Sequence, residues 1–226
     1  MHILIIAATL KEIQDTGNFF DKKKHGVQNI DIQVAVTGIG LMSTAYSLTK
    51  IINKKRPDII IQTGIAGCFS ENKKTSIVCV TRDVVADIGV FENNIFKNIF
   101  DLNLADKNDF PFADGWLVNP YQKLISVADC KQASAVSVNE ITTDKKRIEW
   151  YQQKYEPFVE SMEGAAFHYV CLQEKIPFLQ LRSVSNDIGE RDKSNWTIND
   201  AISILNEKII SLIKKISEYD ESYFRI

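Results

Sequence analysis

The 226-residue sequence lacks the markers of several large protein classes. Its four cysteines include no CxxC pair and its three histidines do not cluster, so neither a disulfide framework nor a zinc site is predicted. Lysine and arginine total 27 against 29 acidic residues, a net charge of −2 that gives no bulk basic character. The longest apolar run covers residues 3–8, far short of the ~20 residues that span a bilayer, and no cationic segment precedes it. We therefore expect a cytoplasmic protein with reduced thiols and with neither a nucleic acid nor a membrane as its partner.

The composition and length are those of an ordinary folded domain. Hydrophobic residues make up 45% of the sequence, charged residues 25% and aromatic residues 10%, which argues against a disordered, collagen-like or coiled-coil chain. An α/β unit of ~200–250 residues often forms one domain. We therefore predict a single domain over residues 1–226, with no linker, internal repeat or low-complexity tract to divide it.

Strands alternate with helices along most of the chain. Continuous apolar runs predict strands that are buried on both faces, and apolar residues recurring every three or four positions predict helices. The predicted strands cover residues 2–8, 30–36, 58–62, 75–81, 133–138 and 177–183. One predicted helix begins at residue 9, and the others cover residues 41–53, 121–131, 144–155, 163–175 and 194–217. The alternation predicts an α/β sandwich whose central mixed, mainly parallel twisted sheet is flanked by helices.

Small and polar residues follow several of these strands, at the edge where ligands bind in open α/β sheets. Thr9 and Glu12 follow the first strand, and their spacing fits a helix capping box. A carboxylate at a strand end also suits a general base, so Glu12 has a structural and a catalytic interpretation. Glu163 falls in the first turn of a predicted helix and Asn186 in a turn-forming segment, where each has a purely structural interpretation of its own.

Two glycine-rich segments lack the features of nucleotide cofactor sites. The segment that begins at Gly38 has Ser43 in place of the third glycine of the dinucleotide fingerprint, and Asp58 stands at the start of the next strand instead of ending it. The segment of residues 63–67 lacks the Gly-Lys-Ser/Thr ending of a phosphate loop. Close packing and contact with a ligand are both open for this second segment. No cofactor and no metal ion is expected.

The order of these motifs resembles that of the purine nucleoside phosphorylase/nucleosidase family. Glu12 is followed along the chain by Thr-Gly-Ile-Gly, Thr-Gly-x-Ala-Gly, Ser-Met-Glu-Gly-Ala-Ala and Arg-x-x-Ser-Asn, and the similarity extends over nearly the whole sequence. The resemblance implies a single α/β domain with a distorted central sheet. It also implies an enzyme that cleaves the N-glycosidic bond of a small-molecule purine nucleoside and that assembles as a homodimer or larger homo-oligomer.

The same resemblance implies roles for particular residues. Glu12 matches the carboxylate that activates the attacking water, and Asn186 matches the position that binds the purine ring, so these two are the predicted catalytic residues. Glu163 matches the acceptor from the ribose 2′ and 3′ hydroxyls. The remaining predicted substrate-binding residues are Gly64, Ile65, Val138, Asn139 and Met162.

Two departures from the family pattern distinguish between its activities. Phosphorolytic members present Arg and Ser around the glycine segment, where this chain has uncharged Gln62 and apolar Ile65, so water is the expected nucleophile. Nucleosidases for adenine nucleosides carry Asp in place of Asn186, whose neutral amide can donate to N7 or O6 of a 6-oxopurine. We therefore predict hydrolysis of a 6-oxopurine nucleoside. The alternatives are hydrolysis of an adenine nucleoside, phosphorolysis, and nucleoside binding without catalysis.

Two further expectations concern the rim of the site and the assembly. Arg82 and Arg191 are candidates, by charge alone, for binding an anionic group of the substrate. Residues 110–116 concentrate aromatic side chains in a loop-like segment, where exposure to solvent is unfavourable. This segment therefore predicts a subunit contact or the mouth of the site, in an assembly that is at least a dimer.

Overall fold

A mixed β-sheet with helices packed around it forms the centre of the computed structural model, which describes residues 1–21, 30–70, 74–93 and 95–225. Within these residues the strands are β1 (His2–Ala7), β2 (Asp31–Val36), β3 (Ile59–Cys68), β4 (Ile77–Val85), β5 (Gly89–Glu92), β6 (Ile95–Asn98), β7 (Leu117–Val118), β8 (Lys131–Ser137), β9 (Val159–Ser161) and β10 (Phe178–Asp187). The α-helices are α1 (Leu10–Asp21), α2 (Leu41–Lys54), α3 (Gln122–Ala128), α4 (Lys145–Tyr155), α5 (Gly164–Glu174) and α6 (Ile198–Ile216). Short 3₁₀ turns cover Lys193–Asn195 and Glu221–Phe224.

The main sheet closes on itself at one end. Strand β3 pairs in parallel with β10, which pairs antiparallel with β4, and β4 then pairs in parallel with β8. Strand β9 completes the ring, since it is parallel to β8 and antiparallel to β3. Small and β-branched residues such as Ala66, Val80 and Val184 form a buried cluster from all five of these strands, so the ring has a packed interior. The parallel strands β1 and β2 extend the sheet from the other edge of β3.

Most predicted elements are present, and the α/β fold with helices flanking a mixed, mainly parallel sheet is confirmed. Strand β1 is buried along its whole length, as its continuous apolar run predicts. Helix α1 packs against α6, and α2 packs against α5. Helices α1 and α6 also contact β3, and α6 contacts β10.

Three strands extend further than predicted, including β4, which runs to Val85 instead of ending at 81. Residues 63–67 were expected to follow a strand that ends at 62, yet they belong to β3, which runs to Cys68. Strand β10 likewise continues to Asp187 instead of ending at 183. From Thr63 to Cys68 the extended β3 pairs with Leu181 to Asp187 of β10, and this long-range pairing overrides the local preference of glycine for turns.

Three elements differ from the sequence pattern in other ways. Strand β9 and the hairpin of β5 and β6 were not predicted, because each strand is four residues long or shorter. The terminal helix was expected to begin at residue 194, but α6 begins at Ile198. Asp192 instead caps a 3₁₀ turn by accepting a hydrogen bond from the Ser194 amide at 2.9 Å.

Candidate active site

A cavity of about 290 Å³ opens beside the carboxyl-terminal parts of β1, β3, β9 and β10. Five of the eight predicted site residues line it: Glu12, Ile65, Met162, Glu163 and Asn186. Gly64 lies next to them, since a Cβ at that position would be 3.1 Å from Oε1 of Glu12. The fold thus brings together side chains that are up to 174 positions apart in sequence, from Glu12 to Asn186.

The Glu12 carboxylate is buried and held at both of its oxygens. Oε2 accepts hydrogen bonds from the Thr9 amide at 3.0 Å and from Thr9 Oγ1 at 2.8 Å. Oε1 accepts from the Ile65 amide at 3.1 Å. One oxygen therefore makes the Glu-to-backbone contact of a capping box, while the other lies at the glycine segment of β3. The structural and catalytic interpretations of Glu12 are compatible, because each uses a different oxygen.

A buried amide from α6 fixes the helical turn that carries Glu12. Asn206 Nδ2 donates to the Glu12 backbone carbonyl at 2.9 Å. Its Oδ1 accepts from the Thr16 amide at 2.9 Å. These two backbone groups are the acceptor and donor of one helical turn, so the Asn206 side chain ties that turn to the terminal helix.

Glu163 is held by the other glycine segment. Its Oε1 accepts from the Gly40 amide at 3.2 Å, and its Oε2 lies 3.5 Å from Nη1 of Arg182. Gly40 has φ +91°, a left-handed conformation that favours glycine, and this conformation directs its N–H toward the carboxylate. The segment that half-matches the dinucleotide fingerprint therefore holds a carboxylate of the protein itself.

Arg182 is a site residue that the sequence reasoning did not single out. It is 1% exposed, and its Nη2 donates to Gln62 Oε1 at 3.1 Å. Its guanidinium occupies the space above Gly64, where a Cβ would collide with it. A charged residue in the apolar run of β10 was the available signal, because a buried arginine requires a nearby acid.

The Asn186 side chain keeps one donor for a ligand. Its Oδ1 accepts from Ser185 Oγ at 2.8 Å, and its Nδ2 donates to the Asp187 carbonyl at 3.0 Å. A primary amide nitrogen carries two hydrogens. The second N–H of Asn186 is therefore available at the cavity that this residue lines.

A fully buried polar network positions the helix that follows Glu163. Asp83 accepts from Ser137 Oγ at 2.9 Å and from Gln180 Nε2 at 3.1 Å. Ser137 Oγ in turn accepts from the Ala165 amide at 2.8 Å, in the first turn of α5. Burial raises the pKa of Asp83 to about 6 despite these hydrogen bonds. A Cβ at Gly164 would collide with Asp83 and Gln180, so glycine lets the helix approach the network.

The structure places two predicted substrate-binding residues outside the cavity lining. Val138 is fully buried in a cluster with Tyr151 and Tyr155. Asn139 is exposed, and its Nδ2 donates to Asp87 at 3.2 Å. Ile141 lines the cavity in their stead. The lining of this cavity does not support a substrate-binding role for Val138 and Asn139, and that role stays a prediction.

The two arginines proposed for an anionic group have different positions. Arg82 stacks over the Trp116 ring at 4.3 Å, and neither residue lines the cavity. Arg191 does line it, with its guanidinium 5.6 Å from the ring of Trp196, another lining residue. Arg191 is therefore the candidate that the structure retains.

The aromatic segment of residues 110–116 is only partly packed. Phe112 contacts Phe100 and Tyr169, and Trp116 contacts Tyr155, whereas Phe110 is 63% exposed. None of these side chains lines the cavity. The expected subunit contact in this segment stays a prediction.

Two anchored carboxylates beside strand ends, one of them paired with Arg182, are an arrangement for acid–base chemistry in an α/β enzyme. A model of the Phosphorylase superfamily matches residues 3–218, and the chain belongs to this family. In the part of the chain that the structure describes, no group of His, Cys, Asp or Glu side chains could hold a metal ion. No helix among the described residues is long and apolar enough to cross a membrane.

Curated relatives carry two names. The chain is 25% identical over 198 residues to the 5′-methylthioadenosine/S-adenosylhomocysteine nucleosidase of Bacillus velezensis, covering 84% of this chain and 83% of the relative. It is 26% identical over 181 residues to the futalosine hydrolase of Thermus thermophilus, covering 78% and 79%. The native structure of futalosine hydrolase of Helicobacter pylori superposes with a TM-score of 0.80 at 18% identity, over 96% of this chain and 98% of that one. This structural similarity supports the fold alone.

Proposed function

We propose that the protein hydrolyses the N-glycosidic bond of futalosine, giving hypoxanthine and dehypoxanthinylfutalosine, a step in menaquinone synthesis. The observation that carries the proposal is a cavity lined by Glu12, Glu163 and the amide of Asn186. Family membership and relatives that are named as purine nucleosidases support the general activity. The choice of futalosine rests on Asn186, whose amide suits a 6-oxopurine base without an unusual proton.

The reaction requires water to replace the base at C1′ of the ribose. Glu12 takes a proton from the water as its oxygen bonds to C1′ and the C1′–N9 bond breaks. Glu163 accepts from the ribose hydroxyls, and its charge stabilises the oxocarbenium character that develops on the sugar. The electron pair of the broken bond goes to the purine, where the available N–H of Asn186 donates to N7. A single preorganised donor of this kind contributes about 3–4 kcal/mol in other enzymes.

Water is favoured over phosphate because the buried cationic group at the site is already engaged. Arg182 lies beside Glu163 and donates to Gln62, and it does not line the cavity. Ile65 presents an apolar side chain to the cavity and cannot donate to a phosphate oxygen. The rim does carry a cation next to an aromatic ring, at Arg191 and Trp196. We assign this pair to the aromatic carboxylate tail of futalosine.

Product analysis tests the proposed function directly. The protein is incubated with futalosine, inosine and methylthioadenosine, each with and without phosphate, and the products are separated by chromatography. We expect futalosine to be the fastest substrate, hypoxanthine to be released, and the rate to be unchanged by phosphate. Fastest cleavage of methylthioadenosine would support the alternative methylthioadenosine/S-adenosylhomocysteine nucleosidase. A sugar 1-phosphate product would instead identify a 6-oxopurine nucleoside phosphorylase.

Asn186→Asp is expected to move the base preference toward adenine. An ionised Asp cannot donate to N7, whereas a protonated Asp can donate to N7 and accept from a 6-amino group. We expect the ratio of kcat/KM for futalosine to that for its 6-amino analogue to fall at least about tenfold, since one discriminating hydrogen bond is worth ~1–3 kcal/mol. Asn53→Asp makes the same change of charge on the exposed face of α2 and should leave the ratio unaltered. An unchanged ratio in Asn186→Asp would remove Asn186 from base selection.

A further inference from the structure

Glu160 is a buried acid in the cavity that the proposed reaction does not use. It is 5% exposed and lines the same cavity as Asn186. Its Oε2 has no hydrogen-bond partner among the described residues. Burial of an unpaired carboxylate is costly, and a bound ligand is one way in which the missing partner can be supplied.

Strand pairing places Glu160 and Asn186 in one row across the sheet. Asn186 pairs with Gly67 in β3, and Gly67 pairs with Glu160 in β9. Directly paired residues of neighbouring strands carry their side chains on the same face, and neighbouring strands lie ~4.8 Å apart. The two polar side chains therefore rise from the same face of the sheet, with their backbones about 10 Å apart.

Gly67, which lies between Glu160 and Asn186, has no side chain, and the apolar side chain of Ile188 fills the space beside it. A Cβ at Gly67 would be 3.4 Å from Nδ2 of Asn186, which shows that the amide leans over the glycine. The Ile188 side chain covers Gly67 from the same side and also lines the cavity. The result is an apolar surface bounded by an amide on one side and a carboxyl on the other. A flat heterocycle with polar edges is the class of ligand that such a surface recognises.

We propose that Glu160 is a specificity-determining residue that accepts the N1–H of a 6-oxopurine base while Asn186 donates to its N7 and O6 edge. The inference rests on the proposed function and names the group that reads the second edge of the base. Hypoxanthine carries a donor at N1 and an acceptor at O6, whereas adenine carries an acceptor at N1 and a donor at the 6-amino group. An ionised carboxyl only accepts, so it suits the donor at N1 of hypoxanthine and is repelled by the lone pair at N1 of adenine.

The surroundings of Glu160 are consistent with a carboxyl awaiting a donor. Burial raises the pKa of Glu160 to about 7, and the nearby carboxylate of Asp87 acts in the same direction. The positive charge of Arg147 opposes both effects. A hydrogen bond from N1–H to the ionised form stabilises that form and would supply the partner that Oε2 lacks.

The test measures binding of three free bases, hypoxanthine, 1-methylhypoxanthine and adenine, to the wild-type protein and its variants by calorimetry. Wild type should bind hypoxanthine at least about tenfold more tightly than the other two bases, because 1-methylhypoxanthine has no N1–H. Glu160→Ala should bind hypoxanthine and 1-methylhypoxanthine with equal affinity. Glu160→Gln can donate through Nε2 or accept through Oε1. Its preference for hypoxanthine over adenine should therefore be at least about tenfold smaller than that of wild type. Glu149→Gln, an isosteric change on the exposed face of α4, should behave as wild type.

The outcomes separate this inference from the proposed function. If wild type hydrolyses futalosine but discriminates among the bases no differently from Glu160→Ala and Glu160→Gln, the role of Glu160 is overturned and the activity stands. Tighter binding of adenine than hypoxanthine by wild type would overturn both. Because 1-methylhypoxanthine probes the wild-type protein, equal affinity for it and for hypoxanthine overturns the inference even if a variant does not fold.

Discussion

Glu12→Gln is expected to lower kcat for futalosine hydrolysis by about 10²–10⁴-fold, the usual contribution of a general base. Gln has the size of Glu but cannot take the proton of the attacking water. The loss should appear in kcat, with KM little changed, since the removed interaction acts in the transition state. Single-turnover kinetics with excess enzyme measure the chemical step directly.

The fold must be retained for this result to be informative. In Glu12→Gln one accepting carboxylate oxygen becomes the NH₂ group of the side-chain amide. This donor then faces the backbone N–H of either Thr9 or Ile65, so the free energy of unfolding should fall by about 1–3 kcal/mol. Asp15→Asn removes an equal charge from the exposed face of the same helix and should leave kcat unaltered. Near-normal turnover of Glu12→Gln would reduce Glu12 to a helix-capping residue.

Arg182→Met is expected to lower the free energy of unfolding by about 3–5 kcal/mol, the usual cost of removing one partner from a buried ion pair. The substitution leaves the Glu163 carboxylate buried beside an apolar side chain and the Gln62 oxygen without its donor. Urea denaturation followed by circular dichroism measures the change.

Two further variants distinguish the charge effect from simple loss of packing. The double variant Glu163→Met/Arg182→Met contains no unpaired charge at this position and should be more stable than Arg182→Met alone. Lys55→Met breaks an ion pair with Asp31 in which both side chains are 59% exposed, and it should cost less than about 1 kcal/mol. Equal losses in Arg182→Met and Lys55→Met would contradict a stabilising role for the buried pair.

The sequence was sufficient for the fold class and for most elements, because hydrophobic periodicity is a local signal. The apolar run of β1 and the amphipathic repeat of α6 both have their predicted form. It was insufficient for the lengths of β3 and β10. Their extensions exist because two glycine- and serine-containing segments pair with each other across a separation of more than 100 residues. Closure of the strand ring depends on the same long-range pairing, so it cannot be predicted from the sequence of either segment alone.

The same distinction between local and long-range signals applies to the residues of the candidate site. Residues in ordered motifs, such as Glu12, Glu163 and Asn186, were named from sequence and line one cavity. Arg182 and Glu160 were missed because their importance lies in what surrounds them, namely a carboxylate 3.5 Å away for the first and an absent partner for the second. Neither environment can be inferred from neighbours along the chain.

The hydrogen bond from Asn206 to the turn of Glu12 joins two segments that lie 194 positions apart in the sequence. The turn of Glu12 is therefore synthesised long before the α6 side chain that holds its carbonyl. Ile198 and Ile202 of the same helix also close the cavity. A nascent chain that stops before α6 therefore has the proposed base without its support or its apolar wall. Catalytic competence therefore requires that α6 has been synthesised and packed, and contacts between such distant segments are typical of slowly folding topologies.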